Sequence, residues 1–183
     1  MLGCEALITR DVRNTQKLLL THLKNLRMIL PTAMFVFIFE SNLGFESQHL
    51  LHAVESDSSI KNWVAMSEGA SSGLGWLTTN ERKETMVLLT REAMRVGKIA
   101  FSQRFFSTSM TIKESRNRIL DELGNFCVVK EPPKTTFGKM RITYTGKLHG
   151  HQDDVCIALM LAIIGSSYFF QNEKYQKWHN PGV

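Results

Sequence analysis

The stretch Thr143–Phe170, TYTGKLHGHQDDVCIALMLAIIGSSYFF, constrains the fold more than any other part of this chain. A polar loop carrying Thr145, Gly146, Lys147, His149, Gly150, His151 and Gln152 runs into two adjacent acids, Asp153 and Asp154, and then into an almost unbroken apolar segment. Val155–Phe170 holds 16 residues without a charge. A spanning helix needs about 20 apolar residues, and this run starts beside two carboxylates, so it predicts a helix buried in a protein core. Aspartates are favoured at helix starts, where a side-chain oxygen accepts from backbone N–H groups that have no partner within the helix. Two of them ahead of a helix too apolar to be exposed place at least one carboxylate at the rim of the core, on a rigid element. That is the setting a metal ligand requires.

The chain has 183 residues, enough for one domain with its own core. Apolar residues make up 43% and charged residues 21%, an ordinary globular composition. The net charge of +5 is unevenly placed. Glu81–Lys147 carries 14 Lys and Arg against 7 Asp and Glu, a balance of +7, and the remainder carries 8 against 10. A basic middle beside an acidic site suits a polyanionic substrate whose cleavage needs metal, with a solvated surface as the plainer reading. Three cysteines (Cys4, Cys127, Cys156) in no CxxC or Cys/His spacing argue against zinc and against a disulfide framework. The opening MLGCEALITRDVRN lacks the cationic and apolar regions of a signal peptide. No GxxxxGK[ST], GxSxG or HExxH occurs; Gly146–Lys147 is followed by Leu148. The six histidines form no ligand set. His149 and His151 flank the acids and read as solvated loop residues before they read as DNA or metal contacts.

Apolar spacing in residues 14–30 predicts an amphipathic helix capped by Asn14 or Thr15 and ended by Pro31. Thr32–Phe39 is a short β-rich run, apolar on both faces, and predicts a central strand. It ends at Glu40. A carboxylate directly after such a strand lies at the edge where open α/β sheets bind ligands, although acids in turns after strands are common. Further along, the pattern predicts a helix over Phe45–Val54, a strand over Lys61–Met66, a Gly/Ser loop over Ser67–Leu77 and a helix over Thr78–Val96. A short strand within Ile99–Phe106 and a helix over Thr111–Leu123, with Thr111 and Glu114 in capping-box spacing, come next. Strands over Phe126–Val129 and Met140–Tyr144, a closing helix over Asp153–Phe170 and a polar tail over Gln171–Val183 complete the chain. This alternation predicts a layered α/β fold with a mixed central sheet flanked by helices.

Glu40 at a strand end and Asp153 and Asp154 at a helix start can meet at one edge of such a fold. Converging carboxylates repel unless divalent cations neutralise them, and hard oxygen donors favour Mg²⁺ or Mn²⁺. Two ions roughly 3.5–4 Å apart clamp the attacking water and the leaving oxygen of a phosphodiester. Lys147 and nearby basic residues would hold the DNA backbone.

Three blocks of the sequence carry a family resemblance. Phe35–Glu46, FVFIFESNLGFE, resembles the strand that ends in the second catalytic acid of the C-terminal nuclease domain of the large terminase subunit, the DNA-packaging motor protein of herpesviruses and tailed phages. Residues 75–87, GWLTTNERKETMV, resemble that family's glycine–aromatic–x–Thr segment leading into a helix. Thr145–Ala162, TGKLHGHQDDVCIALMLA, resembles its closing loop and Asp-Asp helix. The resemblance spans residues 15–170 and is nearer to the herpesvirus form. It implies a ribonuclease H-like fold and a two-metal endonuclease cutting concatemeric double-stranded DNA, with Mg²⁺ or Mn²⁺ and no small-molecule cofactor. It carries over Glu40 as the second acid and Asp153 or Asp154 as the third, with Lys147, Thr79 and Lys83 as DNA contacts. It further implies other terminase subunits and the portal as partners, no membrane, and a site of action in the host nucleus.

The family's first acid lies on a first strand in an Asp-Pro-like context. Here residues 1–170 read as a partial nuclease domain without its first strands and without that aspartate. Glu5 and Asp11 follow no comparable strand. The resemblance therefore implies weak or no cleavage by this chain alone. Three other readings compete: another ribonuclease H-like nuclease such as a resolvase or transposase, a non-catalytic DNA-binding or subunit-interaction module, and a small-molecule α/β domain for which nothing names a ligand.

Overall fold

The fold is that of a computed structural model, and the structure describes residues 11–41, 45–66, 75–99, 120–133, 135, 138–171 and 178–179. In chain order the elements are α1 (Val12–Ile29), β1 (Phe35–Phe37), α2 (Phe45–Ser56), β2 (Trp63–Met66), α3 (Asn80–Arg95), the helical residues 120–125 (α4), β3 (Cys127–Glu131), β4 (Arg141–Thr145), a 3-10 turn Leu148–Gly150, α5 (Asp154–Gln171) and β5 (Trp178–His179). The class is mixed α/β. The described strands form two small sheets, a three-stranded one in the order β1-β2-β5 and a hairpin of β3 and β4, where the sequence predicts one mixed central sheet. The strand predicted within Ile99–Phe106 and the Thr111/Glu114 capping box fall outside the described residues. Among the described residues no helix is long and apolar enough to cross a membrane.

The chain divides into two compact units. The first comprises Leu7–Thr78 and Ile164–Val183. Its α1 starts one turn earlier than the sequence predicts, because Asp11 rather than Asn14 or Thr15 supplies the cap, its carboxylate accepting from Arg13 N at 3.0 Å. β1 pairs parallel to β2, with Phe35 opposite Trp63 and Phe37 opposite Ala65. All four β2 residues are buried, whereas the β1 residues are half-buried; the strand predicted to be central lies at the edge of the described sheet, which leaves it only partly covered. Leu23 of α1, Val54 of α2, Ile60, Trp63 and Ala65 form the core, and Leu19, Leu20, Phe35, Phe37, Phe39 and Leu51 pack against it. Fully burying one such aliphatic or aromatic side chain is worth about 1.5–3 kcal/mol. Two residues of the predicted polar tail, Trp178 and His179, pair antiparallel with β2.

Arg27 near the end of α1 ties this unit together. Its guanidinium lies 4.3 Å over the Phe35 ring and donates to the carbonyls of Pro31 and Ala33, at 3.0 and 2.6 Å, and to that of Lys61. A planar fork of donors thus joins the helix end, the Pro31 turn and the approach to β2. Lys24 pairs with Asp57 at 2.7 Å, and the Ser59 hydroxyl and N–H donate to the same carboxylate at 2.6 and 3.1 Å.

The second unit comprises Met1–Ala6 and Thr79–Ile163. Thr79 caps α3, its hydroxyl accepting from Arg82 N at 3.3 Å. The buried face of α3 is Met86, Thr90 and Ala93; Val96, just past the helix end at Arg95, is 45% exposed. β3 and β4 pair from Cys127–Thr145 to Glu131–Arg141. Helix α3 packs on β4, where burial and the Glu84 carboxylate beside it raise the ionisation of Tyr144 above its ordinary value.

The Lys24 ammonium and the Ser59 donors hold Asp57 at about 2, below its ordinary 3.8. A carboxylate depressed in the folded state stabilises it fully above the ordinary value, and that contribution is lost as pH falls through the folded one. Replacing Asp57 by Asn is expected to lower the melting temperature at neutral pH and to flatten its acid limb between those two values, read from thermal unfolding at stepped pH. The difference should shrink in high salt, since Lys24 is half exposed.

Candidate functional site

Glu40 closes the edge of the first unit that β1 leads into. Beyond Phe37 the strand continues as a single parallel bridge between Glu40 and Trp76. Trp76 N donates to the Phe39 carbonyl at 2.7 Å and the Trp76 carbonyl accepts from Ser41 N at 2.9 Å. Gly75 N donates to the Met66 carbonyl at the end of β2, at 2.9 Å. The Gly75–Trp76 dipeptide therefore clasps the ends of both parallel strands and holds the backbone on either side of Glu40. Only glycine suits the first position. Its φ is +102°, and a Cβ there would stand 2.4 Å from the Phe39 carbonyl oxygen. The Ser47 hydroxyl, buried in the first turns of α2, reaches the Glu40 carbonyl at 3.5 Å. Glu40 thus lies at the C-terminal end of a parallel strand, as the sequence predicts.

Asp153 and Asp154 belong to the second unit. Helix α5 starts at Asp154, and the Asp153 carbonyl accepts from Ile157 N at 2.8 Å, so Asp153 holds the N-cap position. The buried residues Val155, Cys156, Ile157, Met160, Leu161, Ile163 and Ile164 leave a narrow exposed stripe of Asp154, Ala158, Ala162 and Ser166. The two acids have opposite environments. Asp153 is 1% exposed, and the Asp154 side chain is 63% exposed.

The side chain of Asp153 does not take the usual N-cap contacts. Its Oδ2 accepts from Gly146 N at 3.2 Å, and its Oδ1 faces the Lys147 ammonium at 3.3 Å. Lys147 also lies 3.9 Å from Asp154 Oδ1. The loop comes this close because residue 146 has no side chain; a Cβ there would sit 2.9 Å from the Asp153 Cβ. The α5 amides that an N-cap aspartate would serve go instead to Glu122 of α4. Glu122 Oε2 accepts from Val155 N at 2.6 Å and Cys156 N at 2.9 Å, and Glu122 is 1% exposed. Two short N–H bonds at the positive end of a helix compensate a charge whose burial would otherwise cost several kcal/mol.

Around this point the remaining polar groups are also paired. His151 Nδ1 lies 3.2 Å from Asp121 Oδ2, and Asn125 Nδ2 donates to the Asp121 carbonyl at 2.8 Å. His151, read from the sequence as a solvated loop residue, is thus half-buried against the end of α4. Burial, with the Glu122 and Asp153 carboxylates adding to it, pushes the Cys156 thiol up to about 12, which leaves it inert as a nucleophile at neutral pH.

Sequence reasoning missed Glu122. Glu122 lies 31 residues before Asp153, and no spacing or motif in the sequence ties it to the start of α5.

Hard oxygen donors suit a divalent cation, and Asp153 and Asp154 fit that chemistry, with Lys147 standing as a competing cation at Asp153. Glu122 is committed to two amides. Among the described residues no group of three His, Cys, Asp or Glu side chains is placed to hold a metal ion. Thr79 and Lys83 lie in the first turn of α3, with Thr79 as its cap and Lys83 half-buried, while Lys147 is 59% exposed in the loop after β4.

Replacing Gly75 by Ala forces a left-handed backbone and a clash with the Phe39 carbonyl together, an expected loss of about 2–4 kcal/mol. Chemical denaturation should show it. A Gly75→Ala variant within about 0.5 kcal/mol of the parent would mean that the clasp does not hold the strand ends.

No protein-family model matches this chain, and no curated protein or solved structure matches it either.

Proposed function

We propose that this chain is a divalent-cation-dependent DNA endonuclease domain of the kind found in viral DNA-packaging terminases, with a ribonuclease H-like arrangement of its layers. Asp153 carries the reading. A carboxylate at the head of a core helix, 1% exposed, with its oxygens directed to a loop amide and a lysine rather than to its own helix, is an acid held ready for a cation. Glu40 at the end of a parallel strand and the three sequence blocks that resemble terminase nucleases support it.

In this reading Asp153 and Asp154 would hold Mg²⁺ or Mn²⁺, and Glu40 is the further acid that the terminase resemblance adds. When bound, the ions would polarise the scissile phosphate and lower the ionisation of water. Asp153 supplies a fixed carboxylate and Asp154 an exposed one. Lys147, with Thr79 and Lys83, binds the backbone of double-stranded DNA by charge and hydrogen bonding, without reading sequence. Other terminase subunits and the portal are the partners, and the host nucleus is the place of action.

A second reading, DNA binding without cleavage, is favoured by Lys147. Its ammonium occupies the cation position beside Asp153 and would have to be displaced before a metal ion could bind there.

Incubation of the full chain with supercoiled plasmid and Mn²⁺ separates the two. The nuclease reading expects slow nicking that falls by about 100-fold or more in Asp153→Asn and in Glu40→Gln. It also expects Lys147→Met to bind Mn²⁺ more tightly and DNA more weakly. Metal-independent DNA affinity that falls with salt, with no Mn²⁺ binding that Asp153→Asn removes, would leave the binding module as the function.

A further inference from the structure

We propose that Glu122 is a positioning residue for Asp153. By capping α5 from a different helix, it releases the Asp153 carboxylate from the capping role that its place in the chain would give it. Only the functional consequence of this inference rests on the reading of Asp153 as a site acid.

The argument starts from the backbone. Asp153 holds the N-cap position, since its carbonyl accepts from Ile157 N. Aspartate is among the best N-cap residues because its short side chain folds back onto the second or third N–H of the helix. Those groups belong to Val155 and Cys156, and both are taken by one oxygen of Glu122, at 2.6 and 2.9 Å. With its helix already capped, Asp153 can turn Oδ2 to Gly146 N and Oδ1 to Lys147. The division of labour suits the two side chains. Glu122 has the extra methylene needed to reach across from α4, and both carboxylates are 1% exposed, so neither can turn to water for its hydrogen bonds.

Without the Glu122 oxygen, Asp153 falls back into the local cap, as aspartates at this position do, and leaves Gly146 and Lys147. The consequence is a change in the direction of the candidate acid rather than loss of the helix.

Amide hydrogen exchange followed by NMR on the full 183-residue chain tests this with Glu122→Ala, Glu122→Gln and Glu122→Asp. In the alanine variant the Gly146 amide should exchange about tenfold faster or more, as one of the Val155 and Cys156 amides also loses protection. Glutamine keeps an acceptor of the same reach, so its Gly146 exchange should stay within about twofold of the parent. Aspartate keeps the charge but loses the reach, and should resemble alanine. Unchanged Gly146 exchange in the alanine variant overturns the proposal. Should that variant fail to fold, equal Gly146 exchange in the glutamine and aspartate variants overturns it as well.

Calorimetric titration with Mn²⁺ reads the functional consequence. Glutamine should keep the parent's affinity, and aspartate should lower it by about tenfold. A glutamine variant that loses Mn²⁺ as completely as Asp153→Asn would make Glu122 a ligand and overturn the positioning role. If the parent binds no Mn²⁺, the metal reading of the site fails, and the amide exchange alone decides whether Glu122 positions Asp153.

Discussion

The hydrogen bonds from Val155 N and Cys156 N to the buried Glu122 carboxylate are the contact on which the second unit depends. A core helix cannot leave its first amides unpaired, because a buried N–H without an acceptor costs about 1–3 kcal/mol. Nor can a carboxylate be buried without donors. Each group removes the other's penalty, and the pair fixes where α5 begins relative to α4. From that start the apolar residues of α5 fall on its buried side and Asp154, Ala158, Ala162 and Ser166 on its exposed stripe. The same contact leaves Asp153 at liberty to face the Gly146–Lys147 loop.

The first unit depends on a different device. Two short parallel strands need something at each end, because parallel pairs have no hairpin to hold them. At one end Arg27 gathers the carbonyls of Pro31, Ala33 and Lys61 and stacks on Phe35. At the other, Gly75 and Trp76 bond to Met66, Phe39 and Ser41. Glu40 is held in the second clasp. The candidate acids are thus borne by rigid backbone in each unit, by strand ends in one and by a helix start in the other. Rigid elements give a ligand more precise placement than a free loop.

Much of the architecture was legible in the sequence. The helices α1 and α3 follow from amphipathic apolar spacing, α5 from a long apolar run behind two acids, and the β3–β4 strands from short β-rich runs. The ends were less legible. The cap of α1 proved to be Asp11, because several polar residues near a helix start compete and packing chooses among them. The grouping of the strands was not legible either. A run such as FVFIF announces a strand, but pairing partners are set by contacts far along the chain, as the Gly75–Trp76 clasp and the Trp178–His179 strand illustrate.

The sequence by itself determined that Asp153 and Asp154 head an apolar core helix, that Glu40 ends a strand, and that a lysine and a glycine stand beside the acids. These are local facts, carried by spacing and residue type. Only the tertiary structure decided that the two aspartates differ, one buried and one exposed, and that the buried one is not the cap of its own helix. The physical reason lies in Glu122, 31 residues before Asp153 in the chain. Its carboxylate reaches the amides first, and nothing in the neighbourhood of the Asp-Asp pair could announce an acceptor brought from another helix.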